Sequence, residues 1–230
     1  MSNEVKSIFG SSPPPVAGDV LFGGNKEYWS ANACISHWGE DGHSYKSGFR
    51  KAALHLATHV CATSSDQDLL IYPIVYLYRH HIEMVLKDIF RDGSFLLGRN
   101  ITNDDEKKLI THNLQIVWDL VLPLLNPVSI LIEGRELPPE DLEGISSYIQ
   151  QIHRHDPDGQ RFRYARIRQK KPNAPKGTYV NRRSLEPELT LINVGDFAIH
   201  LEKLADYLDG LQGWIAECAQ WQREEEANAR

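Results

Sequence analysis

The chain has 230 residues, 41 % of them apolar and 24 % charged, with a formal net charge of −6. That length can bury a sizeable core without staples, and the acidic balance gives no global reason to expect nucleic-acid binding, so any such case rests on local clustering. The scattered cysteines Cys34, Cys61 and Cys218 argue against a disulfide framework and a thiolate zinc site, and neither a signal-peptide pattern nor an apolar run of about 18 residues stands out. The expectation is a cytoplasmic protein without membrane contact.

Residues 1–45 form an irregular amino-terminal arm, broken by Gly10, Pro13 to Pro15, Gly23-Gly24 and Gly39 to Gly42. Tyr28, Trp29, Ile35 and Trp38 are its apolar anchors, expected to pack partly on the body. A helix is predicted over residues 44–62, where Phe49, Ala53, Leu56 and Val60 follow helical spacing. Ser64-Ser65-Asp66 stops it and caps the next one.

The strongest local signal covers residues 67–90. Ile74, Val75, Tyr78, Ile82, Val85, Leu86 and Ile89 share one broad face. Pro73 implies a kink or a later start, and Asp92-Gly93 is expected to end the helix. Thr111-His112-Asn113 caps a further helix through Trp118, Leu120, Val121 and Leu124, with Asn126-Pro127 closing it. Pro138-Pro139-Glu140-Asp141 starts another, with Leu142, Ile145, Ile149 and Ile152 inward, stopping at His155 to Gly159.

From Arg161 to Arg168 the pattern alternates as a strand does, and residues 177–180 return as a second strand beyond a Pro/Gly loop. The last helix carries Val194, Phe197, Leu201, Leu204, Leu208, Leu211, Ile215 and Cys218 at spacings of three and four, a packing seam for neighbouring helices. Gly210 and Gly213 weaken it by roughly 1 kcal/mol each relative to Ala. Residues 223–230 read as a frayed, charged tail. The whole is an all-α antiparallel bundle over residues 46–222, with a small β-hairpin inserted near 161–181.

Two regions could carry chemistry. Arg79, Glu83 and Lys87 lie at successive i,i+4 positions, so Glu83 can hold the Arg79 guanidinium. His80 points toward the exposed side and His81 flanks the other edge of the apolar arc. A helix-stabilising ion pair and an anion-binding or acid–base cluster are both open on spacing alone. His112 begins one helix and His153-Arg154-His155-Asp156 ends another, so either can converge on the Arg79 helix. His81, Glu83, His112 and His155 have no HExxH-like spacing, so neither a metal nor a cofactor is expected. The second region gathers Arg161, Arg163, Arg166, Arg168, Lys170, Lys171, Lys176, Arg182 and Arg183 without an acidic residue over 161–183. Phe162, Tyr164 and Tyr179 interleave, which suits phosphate contact combined with base stacking, while a solvated basic hairpin or a site for an acidic partner is the plainer alternative.

The order of these pieces resembles the HEPN superfamily, helical domains of prokaryotic toxins and anti-phage defence. In that family a helix of the pattern (R/Q)(H/Q)xxExxLK precedes a (T)H(D/N)L helix start and a later segment containing Arg-Tyr. Here Arg79-His80-His81-Ile82-Glu83-Met84-Val85-Leu86-Lys87, Thr111-His112-Asn113-Leu114 and Phe162-Arg163-Tyr164 take those places, within residues 65–215. The resemblance implies a homodimer that binds RNA or nucleotide, or a metal-independent endoribonuclease. In the latter, His80, His81 or His112 would be the general base and Arg79 or Arg163 would stabilise the phosphorane. The family's active ribonucleases carry an Arg and a His separated by four to six residues late in the domain. This chain departs from that pattern: His200 has no such Arg before it, and Arg50–His55 is the strict instance, in the first helix, where the two side chains point about 140° apart at 100° per residue. A reading from another class is a non-catalytic helical subunit that docks on a partner protein. A nucleotide hydrolase lacks a Walker-type glycine loop.

Overall fold

The computed structural model describes residues 17, 21–35, 42–170, 175 and 177–229, with the side chain of His43 aside. The chain divides into two units, Met1–Asp41 and Gly42–Arg230. In the first, Trp29–Ala31 makes one 3-10 turn and the Asn32 side chain bonds the Asn25 backbone in both directions, at 2.8 and 3.0 Å. The expected anchors Tyr28, Trp29 and Ile35 are exposed, and Trp38 lies outside the described residues.

The second unit is mostly helical, as its apolar periodicity implies. Its elements are α1 (His43–Thr63), α2 (Gln67–Leu96), α3 (Asn103–Leu109), α4 (Leu114–Glu133), α5 (Pro139–His155), β1 (Arg166–Lys170), β2 (Tyr179–Arg183) and α6 (Val194–Asn228). α2 is the central element and packs against α1, α4 and α6, with α5 beside α4. Its expected face is buried as a set, and Tyr78, Phe90 and Trp118 are the largest enclosed side chains.

Several boundaries differ from the sequence reading, each for a packing reason. α2 runs through Asp92-Gly93 to Leu96 because Gly93 lies against α4: a Cβ there would meet Val128 Cγ2 at 3.4 Å. Pro73 stands inside α2 without delaying its start. Asp66 occupies the N-cap position in a left-handed conformation (φ 63°), but its carboxylate accepts from Ser65 Oγ (2.9 Å) rather than capping α2. α4 continues past Asn126-Pro127 to Glu133, since Leu125, Val128 and Ser129 are buried and their enclosure outweighs the backbone bond that proline removes. Asn126 Oδ1 accepts the Leu137 N–H (3.2 Å), tying the following loop to the helix. Among the described helices α4 is the one long and apolar enough to cross a membrane, and much of its length is core here.

α3 was not expected. Its signal is a capping box in which Thr102 and Asp105 exchange side-chain and backbone bonds. The alternation over 161–165 forms no strand. Arg163 and Tyr164 turn back to the Gln160 carbonyl, because Phe162 is buried in the body, and pairing begins at Arg166. The carboxyl-terminal helix persists to Asn228 where fraying was expected. Arg223 bonds Asp92 (2.7 Å) and lies over the Phe95 ring, docking the last turns on α2.

Candidate functional site

Arg79 is 3 % exposed and its guanidinium is met from three segments. Nη1 donates to Glu83 Oε2 (3.1 Å), one turn on in α2. Nη2 donates to the His112 carbonyl, and Nε donates to the Asp156 carbonyl (3.3 Å). Asp156 Oδ2 also stands 3.3 Å from Nε, completing a buried ion pair. Gly159 closes over this group in a left-handed conformation (φ 71°), and a Cβ there would lie 2.7 Å from Nη1. The close approach and the positive φ both demand glycine.

Glu83 bridges the buried node and the surface. Its Oε1 accepts from Lys87 Nζ (2.7 Å) and lies 3.0 Å from His112 Nδ1. Burial pushes its carboxyl up, but Lys87, His112 and Arg79 together outweigh that and hold it below the usual carboxylate range. Because a carboxylate can only accept, Nδ1 of His112 carries the proton, leaving Nε2 of a ring that is 58 % exposed as the available base. The Asn113 side chain caps α4 through the Ile116 N–H (3.2 Å), which fixes the backbone that presents His112.

His80 lies one turn before the Glu83–Lys87 edge of α2. It stacks on Tyr76 (ring centroids 5.8 Å, 10° between planes) and meets Phe49 edge-on (4.6 Å). Burial, which outweighs the attraction of Glu83, holds its imidazole below the ordinary histidine value. Arg163 adjoins this aromatic group, its guanidinium 5.1 Å from the Tyr76 ring centroid and 5.3 Å from that of Tyr164. Arg163, Tyr76 and His80 therefore form a chain of contacts leading from the basic segment to the Glu83–His112 edge. Tyr76 was missed from sequence, although Tyr72, Tyr76 and His80 repeat at i,i+4 and announce an aromatic stripe.

Beside this stack a cleft of about 350 Å³ is lined by Tyr72, Arg161, Arg163, Tyr164, Arg183 and Ser184. Arg161 is aimed by its backbone N–H, which donates to Asp156 Oδ1 (2.9 Å), and its guanidinium pairs with Glu186. The hairpin extends the positive surface. Arg166 pairs directly with Arg183, Arg168 with Asn181, and Lys170 with Tyr179, so these residues share one face. Arg168 lies 4.1 Å over the Tyr179 ring. Arg182 falls on the opposite face, opposite the half-buried Ile167. Lys171 and Lys176 lie outside the described residues.

The remaining sequence candidates separate from this group. His81 is 1 % exposed and faces α1 and α6, its Nδ1 3.0 Å from the Lys46 carbonyl and its Nε2 3.2 Å from Asp209 Oδ1. The site's partner from the end of α5 is Asp156, and His155 lines a different cavity. No cluster of three metal-ligating side chains occurs among the described residues. Arg50 is engaged with Glu202, Asp206 and Asp209, while His55 is exposed, so the strict Arg–His spacing in α1 does not make a pair. Comparisons with protein-family models, with curated proteins and with solved structures each return no match.

Proposed function

We propose that the protein is a HEPN-like module that binds RNA or a nucleotide across the hairpin face, the 161–165 turn and the His80–His112 edge of α2. The observation carrying this reading is the placement of like charges. Arg166 and Arg183 are directly cross-strand, and Arg183 shares a cleft with Arg161 and Arg163. Opposed arginines repel one another unless a polyanion neutralises them, and Tyr72, Tyr164 and the Tyr76–His80 stack offer planar surfaces to unstacked bases.

If the bound RNA is cut, the roles divide by exposure. His112, held by Glu83, takes the 2′-hydroxyl proton, and Arg163 stabilises the charge that develops on the phosphorane. Arg79 is buried and each of its guanidinium nitrogens meets a protein acceptor, so it acts as the positioning residue that holds Glu83, His112 and Asp156 together. Dimerisation and a toxin or anti-phage defence setting belong to this reading through the family resemblance alone.

A second reading is favoured by that same burial of Arg79: a non-catalytic subunit in which the node is structural and the long α6 docks on a partner protein. Purified protein and the variants Arg79→Ala, His80→Ala and Arg163→Ala, tested for binding and cleavage of single-stranded RNA, separate the two. Binding by wild type that falls about tenfold or more in Arg163→Ala supports the first. RNA affinity that is absent, or indifferent to all three changes, rejects it.

A further inference from the structure

The basic cleft is small. At about 350 Å³ it lies near the lower end of ligand pockets, which run from about 300 to 1,000 Å³. It has room for one nucleotide, whereas grooves that track a single strand engage about four nucleotides or more.

Its charge is high for that size. Arg161, Arg163 and Arg183 line the wall, and no carboxylate does. Arg161 is offset by Glu186, which stands outside the wall. Arg163 and Arg183 are exposed, and among the described residues neither pairs with an acidic side chain. Three guanidiniums against one carboxylate leave the cleft with a surplus of two positive charges. An internal phosphodiester brings a single negative charge and would leave one of these arginines uncompensated. A terminal phosphomonoester brings about −1.5 to −2 at neutral pH and three strong acceptor oxygens, enough for two guanidinium forks.

The same wall offers a place for the base. Tyr72 and Tyr164 are 42 % and 51 % exposed, and Phe162 backs Tyr72 with ring centroids 6.4 Å apart. Arg163 lies 5.3 Å from the Tyr164 ring centroid, so cation and stacking surface adjoin at the spacing of one nucleotide's phosphate and base. Backbone bonds hold the groups in place. The Arg163 and Tyr164 N–H groups both donate to the Gln160 carbonyl, at 3.1 Å. The Ser184 N–H donates to the Ala165 carbonyl (3.2 Å), which ties the turn to the strand end carrying Arg183.

From these features we infer that the cleft binds a nucleotide through a terminal phosphomonoester, with Arg163 and Arg183 on the phosphate and Tyr72 or Tyr164 on the base. The inference rests on the nucleic-acid reading proposed above and narrows it: at this cleft the ligand is an end, not the interior of a strand.

Calorimetric titration of the full-length protein with three short oligouridylates tests this, one with a 5′-phosphate, one with a 3′-phosphate and one with hydroxyls at both ends. Uridine 5′- and 3′-monophosphate and inorganic phosphate complete the series. One phosphorylated end should tighten binding roughly tenfold or more over the dihydroxyl oligomer, the worth of a further hydrogen bond between charged groups. Arg183→Gln should remove most of that preference, and Tyr164→Ala should weaken phosphorylated and dihydroxyl oligomers alike. A monophosphate that matches the phosphorylated oligomer supports the inference with a free nucleotide as the source, and a weaker one supports it with an RNA end. Inorganic phosphate binding as tightly as the monophosphates would overturn the nucleotide class. Absence of any end preference would overturn the inference. If the dihydroxyl oligomer still binds and loses affinity in Arg163→Gln, the RNA reading survives that failure; if no oligomer binds at low salt, both fall. The wild-type series decides the end preference even if no variant folds.

Discussion

Two arginine nodes flank α2, and they are built from different kinds of sequence. Arg79 collects Glu83 from its own helix, His112 from the start of α4 and Asp156 from the end of α5. Arg50, on α1, meets Glu202, Asp206 and Asp209, which repeat along one stripe of α6. In the first node Arg79 and Lys87 balance Glu83 and Asp156. In the second one guanidinium faces three carboxylates, leaving a negative surplus beside His81. Under the proposed reading the basic cleft adjoins the balanced Arg79 node, which does not repel a polyanion, and not the acidic Arg50 node, which does. It also separates motif from spacing, because the strict Arg–His interval lies at the acidic node and the motif residues meet at the balanced one.

The largest effect should come from Arg79→Ala, which takes the shared cation from two buried carboxylates and costs about 3–5 kcal/mol in urea unfolding. Arg50→Ala should cost less, about 1–3 kcal/mol, because Asp206 is 72 % exposed and water takes over part of the lost contact. Equal losses would erase the distinction between the nodes. Gly159→Ala should cost at least about 1 kcal/mol through its left-handed backbone and the clash with Arg79, whereas Gly213→Ala, which meets open space on a helix, should be neutral or stabilising.

Acid offers a subtler probe. Glu83 binds its proton less readily folded than unfolded, so its stabilising contribution is full above its ordinary value of 4.5 and is lost as pH falls through the depressed folded value. Asp209 behaves alike: burial raises its carboxyl, while His81 and Arg50 together pull it below 3.8. Glu83→Gln should therefore flatten part of the fall in Tm as pH drops below about 4.5 and leave the part owed to Asp209. An unchanged acid limb would detach Glu83 from the node's electrostatics.

What was legible in the sequence was periodic. The α2 face, the α6 seam and the existence of a basic hairpin follow from side chains repeating at 3.6 or 2 residues, and the α5 start from its Pro138-Pro139-Glu140-Asp141 signal. The boundaries failed where a contact distant in sequence overrode a local signal: Gly93 against Val128, the Val128–Ser129 burial beyond Pro127, and Arg223 on Asp92 and Phe95. The candidate site divided in the same way. Arg79, Glu83 and Lys87 could be joined by helical spacing, whereas Asp156 as Arg79's partner and Gly159 as its lid depend on how α5 ends against α2. His81 adjoins the motif in sequence and still points to the other node, because one residue is 100° of helix.

The salt dependence of single-stranded RNA binding tests most directly whether the hairpin face and its cleft are a nucleic-acid surface. Wild type should show a log–log slope set by the phosphates it neutralises. The Arg163→Gln, Arg166→Gln, Arg183→Gln triple variant should lose about 2 from the magnitude of that slope, at roughly 0.7 per phosphate contact. A slope unchanged in the folded triple variant, or no RNA binding by wild type at low salt, would contradict the account.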